Sequence, residues 1–310
     1  MPLLINSCKI ERPHTTAEFF KKYPHLQDSA RAFRVKTAGS VDPAGLLYVQ
    51  QREFAATTPA DQSVTVLASD DATTCHLVVL RHTGSGASCL AHCDDSSTWS
   101  EVPLFVEAVT SLSSHTQEGR LELHLVGGFD DDMKTSQKLS LSLLATFHSQ
   151  KEDIHLVTCC ITELNDVVSE GIHRPAVYGI GINVKSGEVF PGSFPSRGPA
   201  EELRSARTFT GGQMANIYDS SKELVKVGPC KWSPNMDIGF WLMQDDDTIL
   251  KYLSTSPQVE PPHFIQHIKS TIQFLLDHPS PDSLFPGGQA QLFHRTEQGS
   301  WERVTPSEQQ

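Results

Sequence analysis

No run in this 310-residue chain reaches the ~20 consecutive apolar residues that a membrane-spanning helix needs. Its opening, MPLLINSCKIERPH, has no basic n-region and too short an apolar run for a secretory signal. None of the five asparagines stands in an N-x-S/T sequon. The seven cysteines are an odd number and lack the regular spacing of a disulfide framework. These absences predict a cytoplasmic chain, with the nucleus as a second compartment, whose thiols stay reduced and open to chemistry. Positive charge is scarce too: 25 Lys and Arg stand against 37 Asp and Glu, a formal net charge of −12. Such a surface repels nucleic acid and anionic membrane and favours cationic partners such as peptide amino termini, although solubility alone would account for it. G-x-S-x-G, H-E-x-x-H and P-loop motifs are missing, and Gly179-Ile180-Gly181 lacks the third glycine of a dinucleotide fingerprint.

What is present is ordinary globular composition, 38% hydrophobic and 20% charged, enough for a sizeable core. The first half reads as short apolar runs bounded by Gly, Ser, Asp and Pro, which predict strands at 46–50, 64–68, 75–81, 87–92, 120–126 and 153–161. Helices are expected at 102–112 and at 134–148, where Leu139, Leu143 and Leu144 recur at helical spacing. A further strand is expected at 177–182. The Gly/Pro/Ser-rich stretch 191–199 then makes the best boundary, giving a catalytic domain over 1–195 and an α+β subdomain over 196–310 packed on it. Within the latter, a short helix at 201–208, weak strands to about 244 and a helix at 262–278 are expected. That last helix opens on Pro261 and Pro262, and its apolar stripe (Phe264, Ile265, Ile268, Ile272, Leu275, Leu276) is expected to pack on a sheet. The fold class is α+β with mainly antiparallel strands and helices on one side.

Chemistry concentrates in Ser69 to Asp94, SDDATTCHLVVLRHTGSGASCLAHCD. Cys75 stands where a polar segment meets an apolar strand, so its thiol can be partly exposed beside backbone N–H groups. A cysteine nucleophile needs a base, and the base needs a third group to orient it. Arg81 to Ala87, RHTGSGA, reads as a hairpin turn. Antiparallel pairing across it returns His92 to the side of Cys75, with Ser69 at the end of the preceding strand. Topology therefore permits a Cys–His–Ser triad. The spacing equally allows Cys75 to be a small buried hydrophobe, and His76 or His82 to be the base. Cys89, His92 and Cys93 cannot close a tetrahedral metal site from one strand, and Cys159 and Cys160 should point to opposite faces of theirs.

At this stretch the sequence resembles the protein N-terminal asparagine amidohydrolases, and the resemblance runs over nearly the whole chain. It rests on MPLL at the start, GLLYVQQREFA at 45–55, SDDATTCHLVVLRHTG at 69–84 and LHLVGGF at 123–129. Further on, DIHLVT at 153–158, LSTSP at 253–257, PPHF at 261–264 and HPSP at 278–281 agree as well. The family's nucleophile is the cysteine of S-D-D-A-T-T-C, which is Cys75 here. A more distant similarity, to bacterial chemotaxis-receptor glutamine deamidases and necrotizing-factor toxins, implies the order Ser69, Cys75, His92 and a paired glycine at Gly127 and Gly128, expected among the substrate-binding residues. It also implies an α/β/β sandwich.

The resemblance implies hydrolysis of the side-chain amide of an N-terminal asparagine through a Cys75 thioester, with no metal or cofactor, in a monomer that feeds arginylation and ubiquitin-dependent degradation. Reading a free α-ammonium calls for a carboxylate, because an internal asparagine would leave it unpaired. Asp70, Asp71 and Asp94 are nearest in sequence; Glu53 and Asp130 are further candidates. Pro2, freed by removal of Met1, is a candidate for the site as well. Two other readings stay open: a related cysteine hydrolase acting on glutamine or internal amides, and a non-catalytic ubiquitin-pathway binding module of the same fold.

Overall fold

The computed structural model describes residues 2–37, 41–94, 97–114 and 118–305; Met1 lies outside them. The chain starts with a short ribbon, β1 (Leu3–Ile5) and β2 (Cys8–Lys9), followed by two helices, α1 (Thr16–Lys22) and α2 (His25–Arg34). The cue for α1 is local: Thr15 caps it, its side chain accepting from the Glu18 N–H at 3.1 Å. Then come β3 (Leu46–Tyr48), β4 (Glu53–Thr57), β5 (Val66–Ser69), β6 (His76–His82) and β7 (Ser88–Cys93). They are followed by α3 (Thr98–Ser111), β8 (Leu121–Gly127), α4 (Thr135–His148) and β9 (Ile154–Ile161). A small hairpin, β10 (Asp166–Ser169) and β11 (Ile172–Pro175), leads to β12 (Ile180–Asn183) and β13 (Val189–Pro191). The strand expected at 177–182 thus begins three residues later.

The main sheet runs β14-β4-β7-β6-β8-β9-β1-β2, where β14 (Ala215–Asn216) arrives from the C-terminal third; a second sheet runs β13-β12-β5-β3. The fold is α+β, as expected. Pairing is less uniformly antiparallel than expected: β1–β9, β8–β9, β3–β5 and β4–β14 are parallel. Strand alternation makes the layers. Val78, Leu80, Cys89, Ala91 and Cys93 face one way, into a core shared with α1, α3 and α4. Leu77, Val79 and Leu90 face the other way, into a core shared with Leu67 of β5 and Ile180 and Ile182 of β12. Helices, large sheet and small sheet therefore stack as an α/β/β sandwich. Cys159 lies in the first core and Cys160 in the second, on opposite faces of β9.

The C-terminal third adds α5 (Glu201–Phe209), β15 (Tyr218–Asp219), β16 (Leu224–Val227), α6 (Asp246–Leu253), α7 (Phe264–Asp277), β17 (Gln291–Arg295) and β18 (Trp301–Arg303). Where weak strands were expected as far as 244, Met236–Met243 forms a 3-10 helix. Strand β14 joins the large sheet, and Leu203, Val225, Val227 and Phe293 share the second core with Leu67 and Leu77. The apolar stripe of α7 packs on α5 and on the 3-10 helix, not on a sheet. The helix starts at Phe264, just after the two prolines.

Buried charge ties this third to the sandwich. Arg204 of α5 and Glu53 of β4, each 1% exposed, pair through Nη2 and Oε1 at 2.7 Å. Arg204 Nη2 also donates to the Tyr48 carbonyl at 2.6 Å, and Nη1 to the Arg197 carbonyl at 2.9 Å. The proline-rich stretch is thereby clamped onto the sandwich.

Candidate active site

The β6–β7 hairpin sets the geometry. Its register pairs Leu77 with His92 and His76 with Cys93, so Cys75 stands one diagonal step from His92 on the same face. That face looks toward the small sheet, whose strand β5 ends at Ser69. Ser69 and His92, 0% and 4% exposed, meet with Oγ and Nδ1 2.7 Å apart. A two-residue alternation thus turns Cys75 and His92 away from the helices, and the second layer supplies Ser69.

Residues 70–74, which carry the chain from β5 to β6, are pinned at every step. Asp70 accepts from the Tyr48 hydroxyl and the Phe194 N–H, both at 2.6 Å, and pairs with Arg197 at 2.8 Å. Asp71 adopts a left-handed φ of 57° and pairs with Arg197 at 2.8 Å and His263 at 2.6 Å. The Ala72 N–H donates to the Tyr178 carbonyl at 3.0 Å. Ser256 Oγ donates to Thr73 Oγ1 at 2.7 Å, and Thr74 and Thr255 meet through their hydroxyls at 3.3 Å.

From behind, the Gly128 N–H donates to the Cys75 carbonyl at 3.0 Å. A Cβ on Gly127 would lie 2.5 Å from that carbonyl oxygen, and Gly127 has a φ of +140° that favours glycine.

Cys75 and His92 open into a cavity of about 580 Å³, also lined by Asp71, Asp94, Arg197 and Glu260. Phe264, Ile268 and Thr271 of α7 form its far wall, so both halves of the chain build it. Burial pushes the Cys75 thiol well up, with the charges of Asp94 and Glu260 adding to it and Arg52 opposing. Burial pushes His92 down to about 4, against the pull of nearby Asp94 and Asp71. Burial thus favours the neutral forms of both the thiol and the imidazole. In the tautomer whose Nδ1 donates to Ser69 Oγ, the Nε2 lone pair is left free to act as a base.

Asp70, Asp71 and Asp94 all line this cavity. Asp94 is held by Arg52 Nε at 2.6 Å and Gln51 Nε2 at 2.7 Å. Gly127 and Gly128 are not on the cavity wall; they abut the Cys75 backbone from the β8 side, which corrects their reading as substrate-contacting residues. Pro2 is also corrected. It lies beside Ile154 at the start of β9, whose β8 partner Leu121 pairs with His82, the end of β6 opposite Cys75. Glu53 is buried against Arg204, and Asp130 pairs with Lys134, neither of them at the cavity. His76 points to Ser140 of α4 at 2.6 Å, and His82 bonds Ser85 across the turn at 2.9 Å. Neither shares the cavity with Cys75.

Sequence reasoning missed Arg52, Arg197, His263 and Glu260. Arg197 sits in the stretch read as a linker, stacked on the Tyr48 ring at 4.4 Å. Glu260 lies between LSTSP and PPHF, two strings that carried the resemblance without any role attached. Among the described residues, no group of three or more His, Cys, Asp or Glu side chains is arranged to hold a metal ion, and all seven cysteines are free thiols.

The profile of the family described as protein N-terminal asparagine amidohydrolase matches residues 36–303. The chain belongs to that family. It is 51% identical over 306 residues to the protein N-terminal asparagine amidohydrolase of Mus musculus, covering 98% of this chain and 99% of the relative. The Sus scrofa protein of that name is 52% identical over 306 residues, 98% of each chain. The one from Arabidopsis thaliana is 28% identical over 308 residues, covering 91% and 87%. Likeness to members of this family therefore extends over both halves that build the cavity.

Proposed function

We propose that this protein hydrolyses the side-chain amide of an N-terminal asparagine to aspartate, with Cys75 as nucleophile, His92 as general base and acid, and Ser69 orienting His92. The observation that carries the reading is the Ser69–His92 bond of 2.7 Å in the cavity wall that also holds Cys75, in a chain of this family. Ser69 accepts the Nδ1 proton, leaving Nε2 free to take the thiol proton. The thiolate attacks the amide carbon. The resulting oxyanion is met by backbone donors, the Cys75 N–H among them. His92 returns the proton to the leaving nitrogen, the C–N bond breaks, and ammonia departs from a thioester. Water, deprotonated by His92, then attacks the thioester, the C–S bond breaks, and the sulfur recovers its proton.

Because burial favours the neutral pair, proton transfer in this reading accompanies attack. A cavity of about 580 Å³ holds one residue with room for the start of the next. An acidic wall suits a free amino terminus. In the cell, the product would expose an N-terminal aspartate for arginylation and ubiquitin-dependent degradation, in the cytoplasm, by a monomer. Among the described residues no helix is long and apolar enough to cross a membrane.

The test is mass spectrometry of peptides beginning Asn, Gln and acetyl-Asn, incubated with wild type and with Cys75→Ala. The free Asn peptide alone should gain the mass of an amide-to-acid change, and only with the wild type. Folded wild type that leaves that peptide unchanged would overturn the proposal; conversion of the Gln peptide instead would point to glutamine.

A further inference from the structure

Resting on that reading, we propose that Glu260 is the subsite for the substrate's α-ammonium. Only three bonds, about 4 Å at most, separate an asparagine's α-nitrogen from its side-chain amide carbon. With that carbon against Cys75 Sγ, the group that reads the ammonium must be another wall of the same cavity. Five carboxylates line it: Asp70, Asp71, Asp94, Glu201 and Glu260. Asp70 and Asp71 already share Arg197, and Asp71 also holds His263. Asp94 is engaged by Arg52. Glu201 makes no ion pair within 4.0 Å among the described residues, but Arg197, Arg204 and His263 lie within its electrostatic reach, whereas no described cation acts on Glu260.

Glu260 differs from all of these. It is half-buried, and its hydrogen-bond partners are the neutral hydroxyls of Ser254 and Ser256, through Oε1. No cation lies within ion-pair distance of it among the described residues. A carboxylate desolvated beside a reactive thiol without a countercharge is costly to keep, and a substrate cation would supply the missing partner.

The surroundings support such a role. Ser256 Oγ lies 2.7 Å from Thr73 Oγ1 and 3.3 Å from Glu260 Oε1, so one hydroxyl bridges this carboxylate and the loop that delivers Cys75. The LSTSP loop thus acquires a purpose: it fixes Glu260 in register with the nucleophile. Burial is the first cause of the raised Glu260 carboxyl, and the Glu260 charge is among those that push the Cys75 thiol up. An arriving ammonium cancels that charge, eases ionisation of the thiol and lowers the barrier to attack. A substrate without a free amine does neither.

The experiment compares wild type, Glu260→Gln and Glu260→Asp, each checked for an unchanged thermal midpoint. Two assays are run: steady-state hydrolysis of the Asn and acetyl-Asn peptides, and the pH profile of Cys75 alkylation by iodoacetamide without peptide. Glu260→Gln should raise KM for the free Asn peptide roughly 10- to 100-fold, the value of a hydrogen bond to a charged group, with a smaller change in kcat. It should narrow the preference for free over acetylated peptide and move the alkylation midpoint to lower pH. Glu260→Asp, which keeps the charge but shortens its reach, should fall between. Wild-type KM and discrimination in Glu260→Gln, with an unmoved alkylation profile, would overturn the subsite while leaving the amidohydrolase reading intact. If wild type itself leaves the free Asn peptide unchanged, it is the underlying reading that fails.

Discussion

The proposed base, His92, has little intrinsic affinity for a proton, because burial disfavours the imidazolium and holds its pKa down to about 4. Its worth to the reaction lies in position, and position comes from Ser69. If both contribute as proposed, their loss should be graded. His92→Asn removes the proton acceptor and should lower kcat on the free Asn peptide roughly 10²–10⁴-fold. Ser69→Ala keeps the imidazole but frees its orientation, and should cost less, with KM little changed. Steady-state kinetics on both variants would separate the roles; a Ser69→Ala enzyme indistinguishable from wild type would remove Ser69 from the mechanism. Gly127 and Gly128 act at this scale too, by leaving room for the Cys75 carbonyl and donating to it.

At the scale of elements, the cavity depends on how α5 is seated. Arg204 is 1% exposed, yet it satisfies Glu53 and the carbonyls of Tyr48, Pro199 and Arg197. Its removal leaves Glu53 charged and buried without a partner, which costs about 3–5 kcal/mol. Arg204→Ala should therefore lower the denaturation free energy by that order in a urea titration. It should also cost activity beyond the unfolded fraction, because Arg197 and the stretch carrying it lose their anchor at the cavity rim. A variant as stable as wild type would show that the clamp is dispensable. Restoring volume without charge, as Arg204→Met with Glu53→Gln, should recover part of the stability and not the placement of Arg197.

For the molecule as a whole, acid stability follows from three buried histidines. His76, His92 and His124 are each pushed down from 6.5 to about 4 by burial. Between those limits the unfolded chain binds protons that the folded chain refuses, so stability falls as pH drops from about 6.5 to 4. Each site can contribute up to about 3 kcal/mol. Together they rival the whole stability of a typical domain, about 5–15 kcal/mol. The raised carboxyls of Asp70 and Glu260 act with the opposite sign and through smaller shifts. Thermal midpoints measured from pH 7.5 to 4.5 should fall steeply below pH 6. His124→Gln, which removes one such site far from the cavity, should flatten the slope. A flat profile in wild type would contradict this account.

Alternation and turn chemistry are local, and they made the hairpin from 75 to 92 legible in sequence: the two-residue period decided which face Cys75 and His92 share, and RHTGSGA decided that they return to one end. The family strings fixed the kinship by the same linear reading. The capped α1 carried a readable cue at Thr15 and Glu18 that the strand pattern overshadowed. What lay beyond sequence was whatever two distant segments decide jointly. The stretch 191–199 looks like a linker because its prolines and glycines avoid regular structure; Arg204 and Asp70 turn it into a cavity wall. Pro2 looked close only because termini are unconstrained on paper, whereas the strand order sends it to the far end of the sheet. Glu260 reaches the nucleophile loop through Ser256 and Thr73, residues 183 positions apart. Which carboxylate in an acidic chain goes without a counter-ion depends on which cations fold against the others, and only the tertiary structure brings those together.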